Sequence, residues 1–397
     1  MGSTACTGAF FKNRKWDIIA LGILIGISMW LISNSCFIGV DPNNGYDYHS
    51  YIKLAENPLA FYNQSIPGIH AQRIFGPILV WTLKSIFNLP LESAFRIVSD
   101  ASFFLFVILF YLVLRGAKVR PSIAFATSVF SVISSWPATY SLANVYQVCD
   151  AMTYPMVLLM IILTVKQKTN ALLLVSVIGV LTRQPLLVMS FCAFLYLYLK
   201  DKKPRNILYF SLIVTIFLYT SIFAGYQAVA GLLECTVTNA KLSNVLLGLK
   251  RTQFPLLFSP FLLVFFNRDT FTYIKKYWWV SLYAILVISS PFFIFFDTLE
   301  VNVVRQIFQG IMPTFLLAGI LLNGTLTRPS SRAIYCLLPF AYGLVHLSFM
   351  KHTYPPLVGH RYVMIVVIVL LQLWDMATRG KRAQPGSKNA ALPVARA

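Results

Sequence analysis

Apolar runs long enough to cross the roughly 30 Å hydrocarbon core of a bilayer recur from Trp16 to Trp374, and only short polar loops separate them. No polar stretch is long enough to fold as a soluble domain of its own. The pattern predicts an all-α protein: a polytopic transmembrane helix bundle forming a single domain over residues 1–382. Crossing segments are expected near 16–38, 94–114, 122–142, 145–165, 207–229, 254–267, 278–296, 306–323, 333–350 and 361–376, about ten crossing helices in all. The first run, Trp16 to Phe37, follows Lys12, Arg14 and Lys15. It exceeds a signal-peptide core and lacks a small-residue cleavage site, so it reads as a retained helix. The tail from Ala383 to Ala397 is polar and reads as disordered.

Two apolar segments break the pattern. Ile74 to Phe87 is short, carries Lys84 and stops at Asn88-Leu89-Pro90, which suits an interfacial or half-inserted helix on the outer side. Asn170 to Leu199 is interrupted by Thr182-Arg183-Gln184-Pro185. Each half reads as too short to span, which suggests a re-entrant helical hairpin with Arg183 and Gln184 at its tip. Non-helical backbone at that depth is tolerable only inside protein or beside water.

Charge changes the picture by giving the bundle a direction. The chain has 33 Lys and Arg against 13 Asp and Glu, a net charge of +20, with 57% hydrophobic residues. The basic residues gather in Lys12-Arg14-Lys15, Arg115-Lys118-Arg120, Lys166-Lys168, Lys200-Lys202-Lys203-Arg205, Arg268-Lys275-Lys276, Arg328-Arg332 and Arg379-Lys381-Arg382. All fall on one side if the two broken segments fail to cross. By the positive-inside rule that side is cytoplasmic, with both termini there. This use of charge points to lipid headgroups rather than nucleic acid. The outer loops are then 39–73, 143–145, 230–253, 297–305 and 351–360. The six cysteines form no metal-binding spacing and read as packing residues.

This topology puts Asp41, Asp47, Glu56, Asp150, Glu234, Asp297 and Glu300 at the outer face, so chemistry that needs a carboxylate has more choices there. Asp47, Tyr51 and Ala55 recur every four residues and would share one face of a short helix, with Asp47 in its favourable first turn. Asp47, a scarce acid in a polar loop at the membrane surface, is a candidate for chemistry. It equally suits a helix cap, with Tyr48 and Tyr51 as aromatic-belt residues. Arg183 inside a broken hairpin is costly without a partner, unless it snorkels from a helix end. Asp150, near the outer end of its span, suits a second catalytic carboxylate or a structural salt bridge. His360 and Arg361 suit an anion site or simple interface anchors.

One resemblance connects these residues. Asp47, Tyr51, Ala55, Pro58, Arg73 and Pro77, with Leu181-Thr182-Arg183-Gln184-Pro185-Leu186 and Gly359-His360-Arg361-Tyr362, resemble short motifs of bacterial GT-C-type integral membrane glycosyltransferases. Gln184 departs from the acid usual at its position. The resemblance implies an enzyme of the bacterial inner membrane that moves a sugar from a polyprenyl-phosphate carrier to a saccharide, lipid or protein acceptor outside. It implies Asp47 as general base or as ligand to a divalent metal, Mg2+ or Mn2+, Asp150 as second carboxylate, and Tyr51, Arg73, Arg183, Gln184, His360 and Arg361 as substrate-binding residues. Arginines suit the lipid phosphate because a guanidinium binds it bidentately. The rival readings are a transporter or flippase of a lipid-linked or anionic solute, since broken helices also serve transport, and an inactive GT-C-like subunit.

Overall fold

The computed structural model describes residues 14–34, 48–63, 66, 70, 72–133, 144–223, 272, 275–293, 300–350, 366–375 and 377–378. Every regular element among them is helical. In chain order they are α1 (Arg14–Asn34), α2 (Tyr48–Glu56), a 3-10 helix (Pro58–Asn63), α3 (Phe75–Phe87), α4 (Leu91–Gly116), α5 (Pro121–Ile133), α6 (Val148–Val165), α7 (Thr169–Val180), α8 (Pro185–Asp201), α9 (Pro204–Phe223), α10 (Trp278–Phe293), α11 (Glu300–Thr325) and α12 (Pro329–Met350). A further helix, α13, covers Val366–Asp375. Among the described residues, four stretches are long and apolar enough to cross a membrane: Lys15–Ser33, Leu91–Gly116, Val148–Val165 and Pro204–Ile222. The expected span 254–267 and the tail 383–397 lie outside the described residues.

Local chemistry sets the boundaries. Proline begins α5, α8, α9 and α12, where its missing N–H is no loss and its fixed φ suits the first turn. Asn88 ends α3 and Lys202 ends α8, both in the left-handed region at φ 50° and 54°, with backbone N–H groups that cap Lys84 and Tyr198 carbonyls. Pro155, Pro313 and Pro339 sit inside α6, α11 and α12.

Contacts along the chain fix the relative directions of the helices. Ser99 Oγ donates to Val145 O at 2.9 Å, Phe95 meets Tyr146 at 5.1 Å between centroids, and further along Phe106 meets Tyr154 at 5.7 Å. Hence α4 and α6 run the same way, and Arg115 at the end of α4 lies at the same end of the bundle as Lys166 after α6. Tyr209 Oη donates to Asn170 Oδ1 at 3.0 Å, which joins the start of α9 to the start of α7. Gln72 bridges Ser221, near the end of α9, to Gln184, just before α8. So α7 runs with α9 and α8 runs against both.

The basic loops among the described residues from Arg115 to Arg205 therefore collect at one end. Asp17 there accepts from Arg115 Nε and Tyr111 Oη, each at 2.6 Å. The Arg120 backbone N–H donates to Asn323 Oδ1 at 2.9 Å. Asp375 accepts from the N–H groups of Thr327 at 2.6 Å and Arg328 at 3.0 Å and from Ser331 Oγ at 2.6 Å, capping α12 from a distant helix. The opposite end holds α2, the starts of α4 and α6, and residues 181–184.

Both pattern-breaking segments are helical, as α3 and as the α7–α8 pair. Both ends of α3 lie at the end opposite the basic loops: its start packs on Val148 and Cys149, and its last residue leads into α4. The α7–α8 pair turns within 181–184, at Thr182-Arg183-Gln184. The two arms are unequal. α8 has 17 residues, about 25 Å at 1.5 Å per residue, and is longer than the sequence suggests because the helix continues through Lys200 and Asp201.

Candidate functional site

The turn that ends α7 and the segment that precedes α3 are stitched together by backbone. Phe75 N donates to Leu181 O at 3.1 Å, and Cys149 Sγ, in the first turn of α6, contacts Arg73 O at 3.5 Å. This closeness brings three parts of the sequence, around Tyr51, Arg73 and Arg183, into one buried polar cluster.

Arg73 fixes the direction of its hydrogen bonds. Its Nη1 donates to Tyr51 Oη at 2.9 Å and its Nε to Gln184 Oε1 at 3.1 Å. Guanidinium nitrogens only donate, so the Gln184 oxygen must face Arg73 and its amide nitrogen must face away. That nitrogen donates to Gln72 Oε1 at 3.1 Å, which turns the Gln72 nitrogen onto Ser221 Oγ at 2.7 Å and Phe217 O at 3.3 Å. A single hydrogen-bonded path thus runs Tyr51–Arg73–Gln184–Gln72–Ser221, tying α2, the α7–α8 turn and α9 together. Beside Tyr51, His70 Nδ1 lies 2.9 Å from Ser50 Oγ.

Next to this path Arg183 forms an ion pair with Asp150. Arg183 is 5% exposed and Asp150 3% exposed, which decides against a side chain snorkelling to solvent. Asp150 is in the first turn of α6, where the helix N-terminus favours a negative charge. Gln309 of α11 donates from Nε2 to Asp150 Oδ1 at 3.3 Å. Removing two charges from water is expensive, and the pair repays it only through such supporting contacts.

Of the residues singled out in the sequence, Tyr51, Arg73, Asp150, Arg183 and Gln184 meet here. Tyr51 is fully buried, which excludes the aromatic-belt reading for it. Tyr51 and Ala55 do share a buried face of α2. Asp47, His360 and Arg361 lie outside the described residues. Sequence reasoning missed Gln72, Ser221, Gln309 and Tyr283. The available signal was polar side chains within or beside apolar helices, where each needs a partner.

The cluster brings two guanidinium groups and one carboxylate together, which suits a phosphate better than a cation. No group of three or more His, Cys, Asp or Glu that could hold a metal ion occurs among the described residues. Asp150 does not fit a metal either, since its carboxylate is engaged by Arg183 and Gln309 and a cation beside it would meet the Arg183 charge.

Comparison of the chain with protein-family models, curated proteins and solved structures found no match.

Proposed function

We propose that the chain is a GT-C-type membrane glycosyltransferase that moves a sugar from a polyprenyl-phosphate carrier to an acceptor hydroxyl. The observation that carries this reading is the burial of two arginines at the end of the bundle opposite the basic loops, Arg73 bonded to Gln184 and the adjoining Arg183 paired with Asp150. In this proposal about ten helices cross the bilayer, α3 lies at the outer interface and α7–α8 form a re-entrant hairpin. The basic end faces the cytoplasm of a bacterial inner membrane, so the site opens outside.

The chemistry follows from the groups. Arg73 and Arg183 hold the carrier phosphate by charge-assisted hydrogen bonds, with His360 and Arg361 as further phosphate contacts. Gln184 and Tyr51 keep the Arg73 fork oriented, and Asp150 does the same for Arg183. Asp47 takes the proton of the acceptor hydroxyl. The acceptor oxygen then bonds to the anomeric carbon as the bond from that carbon to the phosphate oxygen breaks, and the carrier phosphate leaves. A single displacement inverts the anomeric centre.

The test is sugar transfer from radiolabelled polyprenyl-phosphate donors by purified protein. Asp47→Asn keeps the side-chain size but removes the base, so turnover should fall by about 10²–10⁴-fold. Near-wild-type turnover by that variant would show that Asp47 merely caps α2. Absence of transfer by wild type from any donor would favour transport, or a subunit role consistent with Gln184 standing where an acid is usual.

A further inference from the structure

Beyond the Arg183–Asp150 pair lie two groups that the hydrogen-bonded path does not use. The Tyr283 hydroxyl on α10 and Gln309 Oε1 on α11 are buried and have no hydrogen-bond partner among the described residues. Gln309 is already fixed on Asp150 through its amide nitrogen. The helices that carry Tyr283 and Gln309 touch through backbone at neighbouring residues. A Cβ at Gly310 would sit 2.8 Å from Ala284 O and 3.0 Å from Ile288 N, so α11 rests directly on α10 one residue from both Gln309 and Tyr283.

An unpaired buried hydroxyl and an unpaired buried amide oxygen are both unfavourable, and native proteins leave few of them. Their roles are complementary, since a phenol O–H donates and an amide oxygen only accepts. A ligand between them must offer both an acceptor and a donor. A fully ionised anion has no donor for Gln309 and would face the Asp150 carboxylate. A cation would face Arg183. A neutral hydroxyl satisfies every group around it, and a sugar ring carries several.

We infer that Tyr283 and Gln309 bind hydroxyl groups of the sugar on the lipid-linked donor, beside the arginines that hold its phosphate. This inference rests on the transferase reading proposed above. It divides one ligand into two subsites: a phosphate held by Arg73 and Arg183, and a sugar held by Tyr283, Gln309 and Asp150.

The test compares two kinds of probe on full-length protein in lipid nanodiscs: undecaprenyl phosphate without a sugar, and the same carrier bearing glucose, mannose, galactose or arabinose. Wild type should bind at least one sugar-bearing carrier more tightly than the bare one. Tyr283→Phe, which keeps the packed ring, should weaken that sugar-bearing probe about tenfold, the worth of one well-made hydrogen bond. It should leave the bare carrier unchanged. Gln309→Met should act in the same direction, and Arg183→Gln should weaken both probes. Thermal unfolding of each variant checks that it is folded. Unchanged binding of the sugar-bearing carriers by both Tyr283→Phe and Gln309→Met would overturn the inference and leave an ordered water as the occupant. Equal binding of bare and sugar-bearing carriers by wild type would also overturn it, while phosphate recognition would stand. Binding of neither would remove the transferase reading and this inference with it.

Discussion

At the scale of single residues, the site turns on a carboxylate and a guanidinium that need each other. Asp150 and Arg183 are both buried, so removing one strands the other's charge away from water. Asp150→Ala should therefore destabilise the protein by about 3–5 kcal/mol, measured by unfolding in detergent. Replacing both residues together, as Asp150→Leu with Arg183→Met, should restore most of that loss. A double-mutant cycle with no coupling between the positions would remove the ion pair from the account. Arg183 was legible in the sequence because a charge in a break between apolar runs demands a partner, and Asp150 because acids are scarce. Gln72, Gln309 and Tyr283 were not legible. A neutral amide or phenol in an apolar run carries no charge to flag it, and only the fold tells which of many such groups face one another. Gln184 lies between these cases. Its place in the turn could be read, but that its oxygen would be committed to Arg73 and its nitrogen to Gln72 depends on a chain segment 112 positions away.

Helices that carry the site are positioned by how closely their backbones approach. Gly310 allows α11 to lie on α10, because any Cβ there would press on main-chain atoms of Ala284 and Ile288 that cannot rotate away. Gly310→Ala should cost about 1–3 kcal/mol, the usual range for overpacking a filled core. It should also push Gln309 away from Tyr283. Gly26 in α1 is the matched control: a Cβ there meets nothing within 4 Å, so Gly26→Ala should leave the unfolding temperature nearly unchanged. Equal effects at the two positions would mean that the α10–α11 contact is not tight. Apolar run length made most of these helices readable, and proline and lysine marked many of their ends. The approach distance between two helices is not written in either one alone. Glycine in an apolar run has the same appearance whether it faces a neighbour, as Gly310 does, or open space, as Gly26 does.

At the scale of the whole molecule the organising fact is polarity along the bundle axis. Basic loops at one end and a buried polar site at the other follow from one arrangement, in which α4 runs with α6, α7 runs with α9, and α3 and the α7–α8 turn keep to the site end. The sequence foreshadowed this through charge: all basic clusters could share a side only if Ile74–Phe87 and Asn170–Leu199 did not cross. A bilayer gives the same arrangement a direction, since lysine and arginine in short loops are retained on the cytoplasmic side. Single cysteines make that testable in a protein whose native cysteines have been replaced. Asn57 and Lys202 are exposed residues at opposite ends, just after α2 and just after α8. In intact cells a membrane-impermeant maleimide should label a cysteine at Asn57 and spare one at Lys202, and permeabilisation should expose the second. A cysteine at Lys118, exposed after α4, should behave like the one at Lys202. Labelling of both ends from outside would break the link between bundle polarity and the bilayer. Labelling at Lys202 and Lys118 with protection at Asn57 would place the site on the cytoplasmic side. An outward-facing transferase would then be excluded, while the buried Arg183–Asp150 pair would remain.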